Sequence, residues 1–382
     1  MGEARPDPNR SAVLASLRFA LVGFIILFAN TAFGAPPPRE HESEIRALIE
    51  DKFDLEGPGV AILVSRRGGP LHMAGYGMAD VKARAPITPD SLFDLASVSK
   101  QMTAVAILKL AEKVKLKLDQ PVARYVEDFA VPVKGRAITL TDLLHHVSGL
   151  ADYTSDDWDG SDAEFASLTD EMHLKWLNRT KPRRAPGLKY EYDNSGYVLL
   201  ALVVERVSGQ SFTKYVQEQL FAPAGMGHTF ILDGTAKLPK EAVQGYATND
   251  KGKVRRSSMP TVVTGDGSVY TSIRELALWD KALRDHTVIS QQSQELAWTN
   301  GHYDNGKPIR NEDGDGYGLG WVIEKNGTVS HSGSWNGTAS YLLLDLKDGF
   351  TVAVLSNDEK ADVGDLAEEI RNLFRHEKEK DE

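Results

Sequence analysis

The sequence predicts a mixed α/β (α+β) chain in which an antiparallel sheet is drawn from both ends, with a helical stretch inserted between them. Three observations carry this. Near the start, two strand-like runs, Val60-Ala61-Ile62-Leu63-Val64-Ser65 and Leu71-His72-Met73-Ala74-Gly75-Tyr76-Gly77, are joined by the hairpin turn Arg66-Arg67-Gly68-Gly69. Helical and loop segments then dominate as far as about residue 225. The last third returns to strands: Leu319–Glu324, Gly327–His331, Ala339–Leu344 and Thr351–Ser356, whose alternation and spacing indicate antiparallel pairing.

The 382 residues suffice for a sizeable core in one large domain or two subdomains, and 41% apolar residues make a folded chain the default. A net charge of −10 argues against nucleic acid or an anionic membrane surface as the main partner. The absence of cysteine removes disulfides, thiol catalysis and anchoring through a lipidated cysteine, and leaves the redox compartment open.

Taken in order, residues 1–34 read as an export signal. Arg5, Arg10 and Arg18 precede the apolar run Phe19–Ala29, and Ala32-Phe33-Gly34 supplies small residues for cleavage. Eleven apolar residues fall short of the roughly 20 that span a bilayer, so the expected product is exported, periplasmic or secreted, with no stable membrane anchor after cleavage; an uncleaved N-terminal anchor is the alternative. A linker at 35–41, with Pro36-Pro37-Pro38, leads to a helix over Glu42–Phe53. Pro86–Ser91 is a loop. Ala137–His146 begins a capped amphipathic helix ending at Ser148-Gly149. Its His145-His146 pair invites a metal reading, but no third ligand accompanies it, and packing beneath a site or helix capping fits better. Ala151–Gly160 is a polar, aromatic, acidic loop suited to a cleft rim. A closing helix over about Asp365–Phe374 is followed by the charged tail 376–382.

The chemistry centres on Phe93-Asp94-Leu95-Ala96-Ser97-Val98-Ser99-Lys100. At the start of a helix, residues three apart share a face, so the Lys100 amine can reach the Ser97 hydroxyl. A serine is a poor nucleophile until a base takes its proton, and a desolvated lysine can be that base. The following run Thr103–Ala111 is apolar nearly all round, as in a buried helix. A second Ser-x-x-Lys, Ser211–Lys214, precedes an ordinary amphipathic run and reads as an N-cap with an exposed lysine.

Two companions strengthen Ser97. Tyr192-Asp193-Asn194 precedes an apolar helix, and its tyrosine and asparagine, two apart in an extended turn, point the same way. The phenol can shuttle a proton and the amide can hold a carbonyl or orient Lys100. The similar triplet Tyr303-Asp304-Asn305 lies in a Gly, Asn and Asp-rich stretch and reads as a turn. The second companion, Val329–Gly337, is a strand running into a glycine-rich turn. There a backbone N–H can face an oxyanion, Gly333 can let substrate approach, and His331 can aid protonation or binding, a structural role being the commoner outcome for a histidine taken alone.

In that order, Ser97-Val98-Ser99-Lys100, Tyr192-Asp193-Asn194 and His331-Ser332-Gly333 resemble the three motifs of the serine β-lactamase and penicillin-binding superfamily. The variant looks like the class C branch, which includes class C β-lactamases, D-aminopeptidases, DD-carboxypeptidase-like proteins and esterases. The likeness extends to Leu143–Leu150, Gly316–Trp321 and Val354–Asn357, and covers residues 42–375. It implies a β-lactamase/transpeptidase-like fold, an antiparallel sheet flanked by helices with an all-helical subdomain at about 101–225. It also implies Ser97 as nucleophile, Lys100 as its base, Tyr192 as proton relay and Asn194 as a carbonyl or lysine contact. The N–H groups of Ser97 and Ser334 would form the oxyanion hole.

Three departures stand out. His331 replaces the lysine of the class C β-lactamase third motif, exchanging a permanent cation for a mostly neutral group at pH 7. Asp193 adds an acid near the cleft, and Val114 stands where the family commonly has glycine, strained if that turn takes a positive φ.

The reading is a serine hydrolase acting through an acyl-enzyme on small esters, D-amino-acid amides or peptides, or peptidoglycan stem peptides. It needs no cofactor and no metal, and its partner is a small-molecule or short-peptide substrate. The alternatives are a class C-type β-lactamase and a non-catalytic protein recognising cell-wall peptides. An α/β-hydrolase is disfavoured because no Gly-x-Ser-x-Gly elbow occurs.

Overall fold

A computed structural model describes residues 39–234, 237–257 and 262–375. The expected signal segment, most of the linker and the charged tail lie outside the described residues. Helix α1 (Glu42–Lys52) leads to strands β1 (Val60–Arg66) and β2 (Gly69–Tyr76), joined by a turn with Arg67 and Gly68 at φ 51° and 79°. Two consecutive left-handed residues give the hairpin a twist that matches its strands.

The late strands are β3 (Gly316–Tyr317), β4 (Val322–Ile323), β5 (Thr328–Trp335), β6 (Thr338–Asp345) and β7 (Phe350–Ser356). Together they make a seven-stranded sheet in the order β3-β4-β5-β6-β7-β1-β2. Every pairing is antiparallel, and the join between the two chain ends is β1 on β7, with Val60 opposite Ser356 and Arg66 opposite Phe350.

The run Val60–Val64 is apolar without alternation because both faces of the sheet are covered. Val60, Ile62 and Val64 point to one side, where α1 contributes Ile45 and Ile49 and the closing helix (Val363–Arg375) contributes Leu366, Ile370 and Phe374. Ala61 and Leu63 point to the other side, into a core shared with helix α2 (Lys100–Glu112). Helix α2 is buried at every position from Lys100 to Leu108, which is why its sequence shows no polar face. The inserted helices include a short capped one at Leu140–Leu144, one at Asp170–Arg179 and one at Asn194–Ser208 that packs on α2.

Two strand expectations need correction. Leu319–Glu324 is not one strand: only Val322–Ile323 pairs. Gly320 turns at φ 77° and lies against the backbone of Lys100 and Gln101, where a Cβ would come within 2.8 Å. The chain breaks its strand there to close on the start of α2. Conversely, β5 does not turn at Gly333 but runs on to Trp335, and the reversal falls at Asn336-Gly337.

Just past the end of helix α2, Val114 takes φ 56°. The Val114 N–H donates to the Ala111 carbonyl and the Lys115 N–H to the Leu110 carbonyl, a left-handed helix stop built on a β-branched residue that is 82% exposed.

Candidate active site

Strand segment Phe93–Asp94 pairs with Val269–Thr271 and hands the chain to a tight 3-10 turn, Ala96–Ser99, at the head of α2. Ala96 sits at φ 45°, a conformation non-glycine residues rarely adopt, and the Asp94 carboxylate accepts its N–H at 2.8 Å. This turn presents Ser97 to a cavity of about 430 Å³, whose wall also includes Tyr192, Asn194, Asp266 and Ser334.

Lys100 is fully buried beneath Ser97. Its Nζ lies 3.1 Å from Ser97 Oγ, 2.7 Å from Asn194 Oδ1 and 2.8 Å from the Asp266 carbonyl oxygen. It also stands over the rings of Tyr192 and Tyr197, 4.9 and 5.6 Å from their centroids. Burial brings the amine down to about 8, against the opposing charges of Asp266, Asp152 and Asp193. Two fixed acceptors therefore hold two of its hydrogens, and the third direction faces Ser97; when the amine is neutral, that direction carries a lone pair able to take the serine proton.

Asn194 is the first residue of its helix. Its Nδ2 donates to Asp152 Oδ2 at 3.2 Å and Thr154 Oγ1 at 2.8 Å, which fixes Oδ1 toward Lys100. Asp193, expected as an added acid near the cleft, acts on Lys100 from there and is also that helix's buried N-cap: it accepts from the Gly196 N–H at 3.1 Å and from Ser148 Oγ at 2.7 Å. The Tyr192 hydroxyl is buried beside Ser97; burial holds its phenol well above the usual range against a hydrogen bond with the Ser97 hydroxyl, so it is neutral.

Of the double histidine, His146 packs under the site against Tyr192, as expected, while the His145 ring hydrogen-bonds to the Thr141 carbonyl at 3.0 Å. The Asp193 N–H donates to His146 Nδ1 at 3.0 Å, so the proton of the neutral ring sits on Nε2, 3.0 Å from the Tyr317 hydroxyl. Tyr317 in turn donates to His331 Nε2 at 3.0 Å, leaving the His331 Nδ1 proton for the Ser332 carbonyl at 2.6 Å. The chain of bonds is satisfied only if both imidazoles are neutral. Burial enforces this, taking His331 down to about 3 with help from the Lys100 charge. His331 does not line the cavity; its ring lies 6.1 Å from that of Tyr192 and supports it from behind. Of the two roles open to His331 from the sequence, a protonating or substrate-binding group and a structural histidine, the geometry favours the second and makes it a positioning residue.

Gly333 is also corrected. A Cβ there would meet the Leu95 carbonyl at 2.3 Å, Ser340 Oγ at 2.4 Å and the Ser97 nitrogen at 3.1 Å. The glycine lets β5 approach the nucleophile turn, where substrate had been expected; Ser334, next along, does line the cavity.

The second Ser-x-x-Lys is an N-cap, with Ser211 accepting from the Lys214 N–H. Asp304 of the second Tyr-Asp-Asn pairs with Arg136. Among the described residues no cluster of three or more His, Asp or Glu is placed to hold a metal, and no helix is long and apolar enough to cross a membrane. Asp266 and Asp94 are site residues that sequence reasoning missed, whereas Tyr153, whose hydroxyl donates to Asp266 Oδ2 at 2.8 Å, lies in the loop expected at a cleft rim. The only written hint of Asp266 is its place between two glycines, of which Gly265 packs on Tyr197 at φ 93°.

Residues 45–374 match the family model described as Beta-lactamase. Penicillin-binding protein 4* of Bacillus subtilis is 30% identical over 343 residues, covering 84% of this chain and 72% of that protein. The octameric penicillin-binding protein homologue from Pyrococcus abyssi superposes with a TM-score of 0.76 at 26% identity, over 88% of this chain and 77% of that one. The D-amino acid amidase of Ochrobactrum anthropi SV3 shares the fold, with a TM-score of 0.76 at 20% identity over 88% and 99% of the two chains. With the serine, the buried lysine and the tyrosine assembled at one cavity, the chain belongs to the β-lactamase family of serine hydrolases.

Proposed function

We propose that this chain is an exported hydrolase that cleaves small esters, D-amino-acid amides or short peptides through an acyl-enzyme on Ser97. The observation that carries the reading is Lys100 Nζ at 3.1 Å from Ser97 Oγ with its other acceptors fixed. The neutral amine takes the Ser97 proton as Oγ bonds to the substrate carbonyl carbon. The N–H groups of Ser97 and Ser334 face the oxyanion. Tyr192 gives its proton to the leaving group as the carbon–heteroatom bond breaks, and recovers one from the Lys100 ammonium beside its ring. Water then adds to the acyl carbon by the reverse relay, releasing the acid and free Ser97. Export rests on the N-terminal segment of the sequence alone.

A β-lactamase is less well supported. Neither His331 nor any lysine or arginine lines the described cavity wall to meet a β-lactam carboxylate. Intact-protein mass spectrometry after incubation with a penicillin or a fluorophosphonate, beside Ser97→Ala, tests the mechanism. An adduct on the wild type alone is expected. An adduct that persists in Ser97→Ala, or unchanged hydrolysis by that variant, would sink the proposal.

A further inference from the structure

The cavity carries two carboxylates, and their situations differ. Asp266 faces Lys100 and accepts from Tyr153, so its charge is matched within the site. Asp94 has no such match. One of its oxygens accepts the Ala96 N–H, and among the described residues no lysine, arginine or histidine forms an ion pair with it.

Its position is set from three sides. Thr338 Oγ1 donates to the Asp94 carbonyl at 2.9 Å, pinning the strand to β6. In the small sheet Asp94 stands directly opposite Tyr270, so the two side chains share a face, and both line the cavity. Asp94 precedes Ser97 by three residues, which limits their Cα separation to about 11 Å even in an extended chain. A substrate whose carbonyl reaches Ser97 therefore has its acyl portion within reach of this carboxylate.

We infer that the cavity selects acyl donors bearing a free ammonium group, with Asp94 as the anion that receives it beside the Tyr270 ring, and disfavours acyl donors bearing a carboxylate. This rests on the acyl-enzyme reading above. An aliphatic ammonium offers three donors to a partly buried carboxylate and a cation to an aromatic neighbour, whereas an anionic substrate meets the unmatched like charge of Asp94. Burial and the Asp266 charge push Asp94 up to about 6, so it is ionised at neutral pH and above.

The test uses the full chain and three series of p-nitroanilides: D- and L-alanine p-nitroanilide, their N-acetyl forms and their N-succinyl forms. The free amine of at least one enantiomer is expected to exceed its acetyl counterpart in kcat/KM by about tenfold to a hundredfold, the span of a charged hydrogen bond, with the succinyl form slowest. Asp94→Asn keeps an oxygen for the Ala96 N–H and removes the charge, so the ratio of free to acetyl should fall toward one. A ratio near one in the wild type, or a ratio untouched by Asp94→Asn, overturns the inference. So does absence of turnover of every anilide when a fluorophosphonate still labels Ser97. If nothing labels Ser97, the acyl-enzyme reading fails instead.

Discussion

Replacing Asp266 by asparagine should move the pH dependence of acylation to lower pH. Lys100 is held near 8 by burial against the charges of Asp266, Asp152 and Asp193, with His146, His331, Tyr192 and Tyr197 packed around it as neutral groups. The base must be neutral, so kcat/KM should rise with pH through about 8, and at pH 7 only about a tenth of the lysine is competent. Removing one opposite charge at a few ångströms lowers the lysine pKa by about one or more. The sign follows from which form the carboxylate favours: it stabilises the ammonium, so its loss favours the amine. With a midpoint near 7, about half the lysine is neutral at pH 7, a gain of about fivefold there, while the high-pH plateau falls because a weaker base transfers protons less readily. Asparagine still offers an oxygen to the Tyr153 hydroxyl and leaves the backbone acceptor of Lys100 in place. The assay is the pH profile of p-nitrophenyl butyrate hydrolysis, with the rate of fluorophosphonate labelling as a second readout. A midpoint that stays at about 8 or moves upward would refute the argument, because loss of structure would lower the rate without moving the profile in this direction.

Two further outcomes concern stability. Val114→Gly relieves a left-handed β-branched residue at a cost of some unfolded-state entropy, so the protein should gain about 1 kcal/mol, about 2 °C in thermal midpoint, at unchanged activity; an unchanged or lower midpoint in a melting scan contradicts the strain argument. Tyr317→Phe strips the hydroxyl that bridges His146 and His331, leaving a buried donor and a buried acceptor unpaired. It should cost about 1–3 kcal/mol in denaturant unfolding and slow Ser97 labelling by loosening the support of Tyr192.

Much of this protein was legible in its sequence because the signals are local. Turn chemistry gives the Arg67-Gly68 reversal, the Thr139 to Asp142 capping box marks the start of a helix, and a run of apolar residues without a polar face tells that α2 is buried. The spacing of Ser97 and Lys100 is equally local, since a helical turn brings residues three apart together whatever surrounds them. Three motifs in order then separated the working Ser-x-x-Lys from its copy at Ser211, which the fold uses as an N-cap.

What only the tertiary structure decided are the contacts between segments remote in sequence. Asp266 meets Lys100 across 166 residues, and no spacing rule connects them. His331 could be an active or a structural group by sequence, because an imidazole titrates near neutral pH in water; burial and its bonds to Tyr317 and Ser332 make it a fixed neutral support. Asp193 was legible as an acid near the cleft, but its second role, capping the helix that follows it, shows only in the structure. Gly333 looked open to substrate, but the nearest atoms are those of the nucleophile turn. The sequence determines which chemical groups exist and which neighbours they have along the chain. Their protonation, orientation and exposure depend on desolvation and on partners in space, and these exist only once the sheet from both chain ends has closed on helix α2.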